Sequence, residues 1–199
     1  MSVRTEHTRT QILSAALEMF STRGYLGTSI RDIADVAGIS SGNLYHQFPD
    51  KEQIFQTLLE EFWAKQLLPT NPLNTALAAG AFPDDIEALG RAARETVTLY
   101  KPYIALIYVD VVEFDGRHIR RFYSEMASRF QEFLDSRPDL VARLRPDVSP
   151  LSTIMVATRF LLYYYSVELV FRVPNHFGKS DDEALVDIAK LFSRAILKD

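Results

Sequence analysis

The 199-residue chain has no cysteine. That absence excludes disulfide staples, thiolate nucleophiles and zinc–sulfur sites, and it permits a reducing compartment. The chain also lacks an excess of positive charge. It carries 22 Lys and Arg against 26 Asp and Glu, a net charge of −4. Domains that bind nucleic acid are usually basic, so this balance taken alone argues against such a partner. Glycine and proline are sparse, at 8 and 9, and 47% of the residues are hydrophobic. Collagen-like, fibrous and disordered classes are therefore excluded. There is no Gly-rich phosphate loop, G-x-S-x-G elbow or HExxH pair, and the histidines are scattered at positions 7, 46, 118 and 176. No catalytic residues, metal or cofactor are expected.

Long hydrophobic runs are also scarce. The first 30 residues lack the apolar core of roughly 7–15 residues that a signal peptide needs. The most apolar stretch, Leu151–Phe171, contains Arg159 near its middle and Glu168. A central arginine costs at least ~2.5 kcal/mol on insertion scales, so this stretch reads as a buried helix rather than a membrane span. A cytoplasmic location is expected.

What is present is helical periodicity. Ile12, Leu13, Ala16, Leu17 and Phe20 share one helical face, and Gly24 offers the left-handed end such a helix needs. Thr28 is expected to cap a short second helix carrying Ile33 and Ala34, Ser40 a third with Leu44, and Asp50 a longer fourth with Ile54, Leu58 and Phe62. Residues 69–83 hold three prolines and read as a loop. Helices follow from Asp84, interrupted or restarted at Pro102, then after Gly116, over 151–172, and from a Ser180–Glu183 capping box to the end. The run Arg117–Arg121 reads as a solvated helix face, and Glu113 and Asp115 read as capping carboxylates at a helix end. The fold class is all-α, with no convincing strand.

Residues 28–48, TSIRDIADVAGISSGNLYHQF, carry the functional signal. Two short helices flank a glycine turn at Gly38. Small Ala34 lets them cross closely, and Ile33, Ile39 and Leu44 form a shared core, which is a helix-turn-helix arrangement. The outer face of the second helix then shows Ser41, Gly42, Asn43, Tyr45 and His46, types that approach base edges and phosphates. Gly42 costs about 0.8–1.0 kcal/mol of helix propensity against alanine, which makes sense where DNA must come close to the backbone.

Residues 8–55 resemble the tetracycline-repressor-like (TetR) family of bacterial transcription regulators. The resemblance rests on Ala15-Ala16, Phe20, Gly24, Thr28, Ile33-Ala34, Ala37-Gly38-Ile39, Leu44-Tyr45, Phe48 and Lys51. It implies that Thr28 and Ser29 meet a phosphate at a helix N-terminus. It places Arg31 within reach of a base or phosphate, and Ser41 and Asn43 at base-reading positions. Tyr45 falls on the phosphate-binding tyrosine and Lys51 on the lysine opening the fourth helix. One departure is visible: Gln47 stands where the family commonly has an aromatic or histidine, and His46 takes the variable position.

The domain plan that follows has a helix-turn-helix DNA-binding domain over 1–51, a connecting fourth helix over 51–68, and an effector-binding and dimerisation domain over 69–199. The net −4 lies wholly outside the first part, where five basic residues meet five acidic ones. Tyr163 and Tyr165 diverge by about 200° at ~100° per residue, so helix 151–172 must bury more than one face. With helix 181–197 it is expected to form a homodimer interface. Tyr103, Ile107, Phe122, Met126, Arg159 and Tyr163 are candidate effector contacts, the effector being mainly apolar or aromatic. The expected function is a one-component regulator, a repressor released by that effector from a near-palindromic double-stranded operator. The rival reading is a helical small-molecule-binding protein or enzyme with a vestigial helix-turn-helix.

Overall fold

The computed structural model describes the backbone of residues 3–175 and 177–198, and side chains from residue 5 onward. His176 lies outside the described residues. Eleven helices follow in chain order among the described residues: α1 (Val3–Arg23), α2 (Ile30–Ala37), α3 (Ser41–Gln47), α4 (Lys51–Gln66), α5 (Pro72–Ala78), α6 (Ala81–Asp84), α7 (Ile86–Phe114), α8 (Arg120–Asp135), α9 (Pro138–Val141), α10 (Pro150–Leu169) and α11 (Asp181–Ile196). The only extended pairing among them is an isolated bridge between Leu144 and Leu197. No helix of the described residues is long and apolar enough to cross a membrane.

Packing groups the residues into two compact units. The first holds residues up to Gln66 together with Pro102–Arg120, and the second holds Leu67–Lys101 with the residues from Arg121 onward.

In the first unit, Ile12, Ala16 and Phe20 of α1, Ile33 and Ala34 of α2, Leu44 of α3, and Ile54 and Phe55 of α4 form one core, joined by Leu106 and Ile119. Its edges are set by local chemistry. Gly24 adopts φ +77° and ends α1 through an N–H donated to the Phe20 carbonyl. Gly38 adopts φ +69° and sends its N–H back to the Ala34 and Asp35 carbonyls, which fixes the turn between α2 and α3. Ser40 Oγ accepts from the Asn43 N–H, and Asp50 Oδ1 accepts from the Gln53 N–H, as their sequence positions suggest. The cap of α2 is Ser29 rather than Thr28. Ser29 and Asp32 form a reciprocal capping box, and an acidic partner three residues on is available to Ser29 but not to Thr28.

In the second unit, Leu89, Ala93 and Val97 of α7, Ile154, Ala157, Leu161 and Tyr165 of α10, and Leu185 and Ile188 of α11 are all buried. Gly90 makes a close approach possible: a Cβ there would lie 2.2 Å from Leu185 Cδ1. Ser180 caps α11 in a box with Glu183.

One element differs from the sequence reading and another bears it out. Residues 69–83 are not a plain loop, because Asn71 caps α5 with Pro72 in its first turn and α6 follows. Proline at the first helical position loses no hydrogen bond, so it starts this helix instead of preventing it. The interruption expected at Pro102 is present: α7 consists of two helical segments that meet in a kink at Tyr100, whose dihedrals are non-helical, two residues before the proline.

Candidate nucleic-acid interface

The second helix of the pair, α3, is held from below by Leu44, which is fully buried, and by Phe48 just beyond its end. With those two turned inward, the helix presents its opposite face. Gly42, Asn43, Tyr45 and His46 are exposed and Ser41 is half-buried. Tyr45, a large aromatic, is 55% exposed. An aromatic ring in this place combines an apolar face with a polar hydroxyl. Gly42 leaves that face low, with no protein atom nearer than 3.9 Å to a Cβ built there. Arg31 of α2 is exposed as well.

Arg9 was not singled out by the sequence. From α1 its guanidinium sits 4.2 Å from the Phe48 ring centroid, and Nη1 donates to the Gln47 carbonyl at 3.5 Å. A cation at this helix C-terminus complements the dipole of α3 and ties it to α1. The Gln47 side-chain position, the departure from the family pattern, is half-buried beside it.

Thr28, Ser29 and Lys51 each have partners within the protein. Thr28 is 1% exposed and its hydroxyl donates to the Gly24 carbonyl at 2.8 Å. Ser29 is exposed, but its hydroxyl and N–H both donate to the Asp32 carboxylate, at 2.6 and 2.9 Å. These two bonds hold the Asp32 carboxyl below the usual carboxylate range, and a negative charge of the protein's own thus sits at the α2 N-terminus. Lys51 turns inward. Its Nζ donates to the Tyr25 and Thr28 carbonyls, both at 2.8 Å, and lies 3.9 Å from the Tyr25 ring centroid. Burial lowers its pKa, partly opposed by Glu113. Burial, and next the neighbouring Glu52 carboxylate, push the Tyr25 phenol up.

A second polar group supports the head from α7 and the turn after it. Asp110 is fully buried. It receives His118 Nδ1 at 2.5 Å and the Ile119 N–H at 3.2 Å. His118 Nε2 is 3.4 Å from Glu52, which also accepts from Arg117 at 2.7 Å. The run Arg117–Arg121 is therefore not a uniformly solvated helix face. Its His118 and Ile119 lie inward, in a turn ahead of α8, and only Arg120 and Arg121 begin the helix. No local pattern could have paired His118 with Glu52, 66 residues apart.

The six candidate effector contacts divide between the two units. Tyr103 and Ile107 belong to the first unit. Tyr103 stacks on Phe62 and its hydroxyl meets Lys65 Nζ at 2.9 Å and Glu61 at 3.3 Å. Phe122, Met126, Arg159 and Tyr163 belong to the second. There Phe122 and Met126 are half-buried, Tyr163 is 59% exposed, and the exposed Arg159 lies 5.1 Å from the Tyr123 ring centroid.

Two short helices joined by a left-handed glycine, with the second helix offering an exposed polar and aromatic face, define a helix-turn-helix DNA-binding transcription regulator. Comparison with known proteins agrees. The family described as bacterial regulatory proteins, tetR family, matches residues 12–58. The transcriptional repressor KstR2 of Mycolicibacterium smegmatis is 33% identical over 141 residues, covering 66% of this chain and 69% of that protein. A tetR-family regulator from Mesorhizobium loti superposes with a TM-score of 0.69 at 19% identity, over 99% of this chain and all of the other. The ketosteroid transcriptional regulator KstR2 of Mycobacterium tuberculosis does so with a TM-score of 0.56 at 21% identity, over 96% and 95% of the two chains. The chain belongs to the tetR family of bacterial regulatory proteins.

Proposed function

We propose that the protein is a one-component repressor that binds a near-palindromic double-stranded operator as a homodimer and is released by a small, mainly apolar effector. The observation that carries the DNA-binding part is the outward set on α3. In this reading Asn43, with Ser41, reads base edges. Tyr45 and His46 contact the backbone, Gly42 admits the duplex, and Arg31 reaches it from α2. Lys51 and Thr28 act from within, by holding the turn ahead of α2. The relative from M. smegmatis is named a repressor, which favours repression over activation.

We divide the roles along the chain as a reading head over 1–51, a connecting helix over 51–68, and effector and dimer functions over 69–199. Dimerisation is supported by α10 and α11. They expose Val156 (59%), Phe160 (40%), Tyr163 (59%) and Leu191 (68%), an apolar load that a lone chain would gain by covering. The three successive tyrosines diverge as their spacing requires, Tyr165 being 1% exposed and Tyr163 facing out. A helix-turn-helix head gains affinity by pairing with a second one about one DNA turn or a multiple away, so a palindrome follows from a two-fold dimer.

The effector class is supported by the aromatic content of the second unit and by the word ketosteroid in the name of the M. tuberculosis neighbour. Two measurements test the reading. Genomic fragments retained by the purified protein at low salt share a palindrome, and a thermal-shift screen shows stabilisation by apolar ring compounds, ketosteroids among them. Retention of no common site by an intact dimer contradicts the DNA reading. Stabilisation by strongly polar compounds alone contradicts the effector class.

A further inference from the structure

The turn joining α1 to α2 is gripped from two sides. Gly24 in its left-handed conformation aligns the next two backbone N–H groups, those of Tyr25 and Leu26, in one direction. Successive N–H groups after such a residue form a concave anion site. Here the site is filled by a carboxylate from residue 113: Glu113 accepts from the Tyr25 N–H at 3.2 Å and from the Leu26 N–H at 2.6 Å. The fit is tight, since a Cβ on Gly24 would lie 2.5 Å from Glu113 Oε1. The carbonyl side of the same turn is held by a cation, because Lys51 Nζ takes the Tyr25 and Thr28 carbonyls at 2.8 Å each. Thr28 closes the turn through its own hydroxyl to Gly24. Five backbone groups between Gly24 and Thr28 thus depend on one carboxylate, one ammonium and one hydroxyl.

We infer that Glu113 is a positioning residue of the reading head, which fixes the α1–α2 turn and hence the entry of α2 in the DNA-binding arrangement. The inference rests on the regulator reading above and extends it to how the head is controlled. Glu113 belongs to α7, whose earlier residues, Ile86–Lys101, are part of the second unit. A change in α7 that withdraws Glu113 leaves these two N–H groups without their protein acceptor and frees the turn. The docked carboxylate is therefore assigned to the DNA-binding state and its withdrawal to the released state. Glu113 touches no DNA in this scheme, because its two oxygens are occupied by the protein backbone.

The test uses Glu113→Gln and Glu113→Ala in the full-length protein, with the DNA fragments selected by the wild type as probe. Glutamine keeps the size of the side chain and one acceptor, so it guards against a folding defect. Hydrogen exchange should show faster exchange at the Tyr25 and Leu26 amides in both variants. The dissociation constant should weaken about tenfold in the alanine variant, and less in the glutamine variant, at a temperature where circular dichroism shows both fully folded. The salt dependence of binding should stay that of the wild type, since no phosphate contact is lost. Unchanged amide protection, or unchanged affinity despite faster exchange, overturns the inference. So does a salt slope altered by one phosphate's worth, which would put residue 113 at the DNA itself. A wild-type protein that retains no DNA overturns the proposed function as well, whereas equal retention by wild type and both variants overturns this inference alone.

Discussion

At the scale of single residues, charge placement matters more than charge total. Of the cations in the reading head, Lys51 is committed to two carbonyls and a ring, and Arg9 to the end of α3. Lys51→Met keeps the stem but leaves both carbonyls without their donor, and lost hydrogen bonds to a charged group cost about 1.5–3 kcal/mol. The expected outcome is a lower urea midpoint with an unchanged slope, and an equal midpoint would show that the ammonium contributes nothing to the fold. These inward roles were not legible in the sequence. Lys51 could be seen as a cation at a helix start, where the dipole disfavours it, and a phosphate was the obvious partner. The real partners are carbonyls on a turn 23 and 26 residues earlier. Glu113 could be read as a capping carboxylate from its place at a helix end, but it caps no helix: it accepts from the turn between α1 and α2, 87 and 88 residues away. The outward residues were easier. Once Leu44 faces the core, helical spacing alone exposes Asn43, Tyr45 and His46.

At the scale of elements, caps and close approaches decide what the chain can tolerate. Gly90 lets α7 and α11 meet. Gly90→Ala sets a methyl 2.2 Å from Leu185 Cδ1, and overpacking of this kind costs about 1–3 kcal/mol. Thermal unfolding should show the loss, and Leu185→Ala in the same chain should recover part of it; additive losses in the double variant would show that the two side chains do not compete. The capping boxes give a pH dependence of known sign. Asp32 and Glu183 both have their pKa lowered by bonds from the capping serine. A carboxylate whose pKa is lower folded than unfolded adds stability above its unfolded value of about 4, and that stability is lost as pH falls through the folded value. Asp32→Asn and Glu183→Gln should therefore be less stable than wild type at neutral pH and converge with it in acid. A gap that widens in acid would contradict the capping role. Helices with local caps, such as those begun by Ser40, Asp50 and Ser180, could be placed from sequence because the cap and its target are three residues apart. The short helix within 69–83 could not, since proline is compatible with a helix start, whereas the interruption expected at Pro102 is found as the kink at Tyr100.

At the scale of the whole molecule, the acidic total of −4 does not conflict with DNA binding. The deficit lies outside the reading head, whose own charges balance, and binding must rest on placed donors and on pairing of two heads. The log–log salt slope of the dimer should accordingly be shallower than the magnitude of about 9 that neutralising about ten phosphates gives. A slope that steep would mean that phosphate neutralisation dominates. The all-helical class and the helix-turn-helix were legible, because they follow from apolar spacing and glycine placement. An effector site is harder to read, because aromatic residues spread over several helices show burial without showing what shares a cavity. The most direct measurement compares the DNA motifs selected from a random pool by the wild type, Asn43→Ala and Tyr45→Ala. A base-reading role for Asn43 and a backbone role for Tyr45 predict a palindrome for the wild type. They predict altered letters, at symmetric positions of both half-sites, for Asn43→Ala, and the wild-type letters at lower yield for Tyr45→Ala. An unaltered motif with Asn43→Ala, or no palindrome from an intact wild-type dimer, would contradict the assignment of α3 as the reading helix.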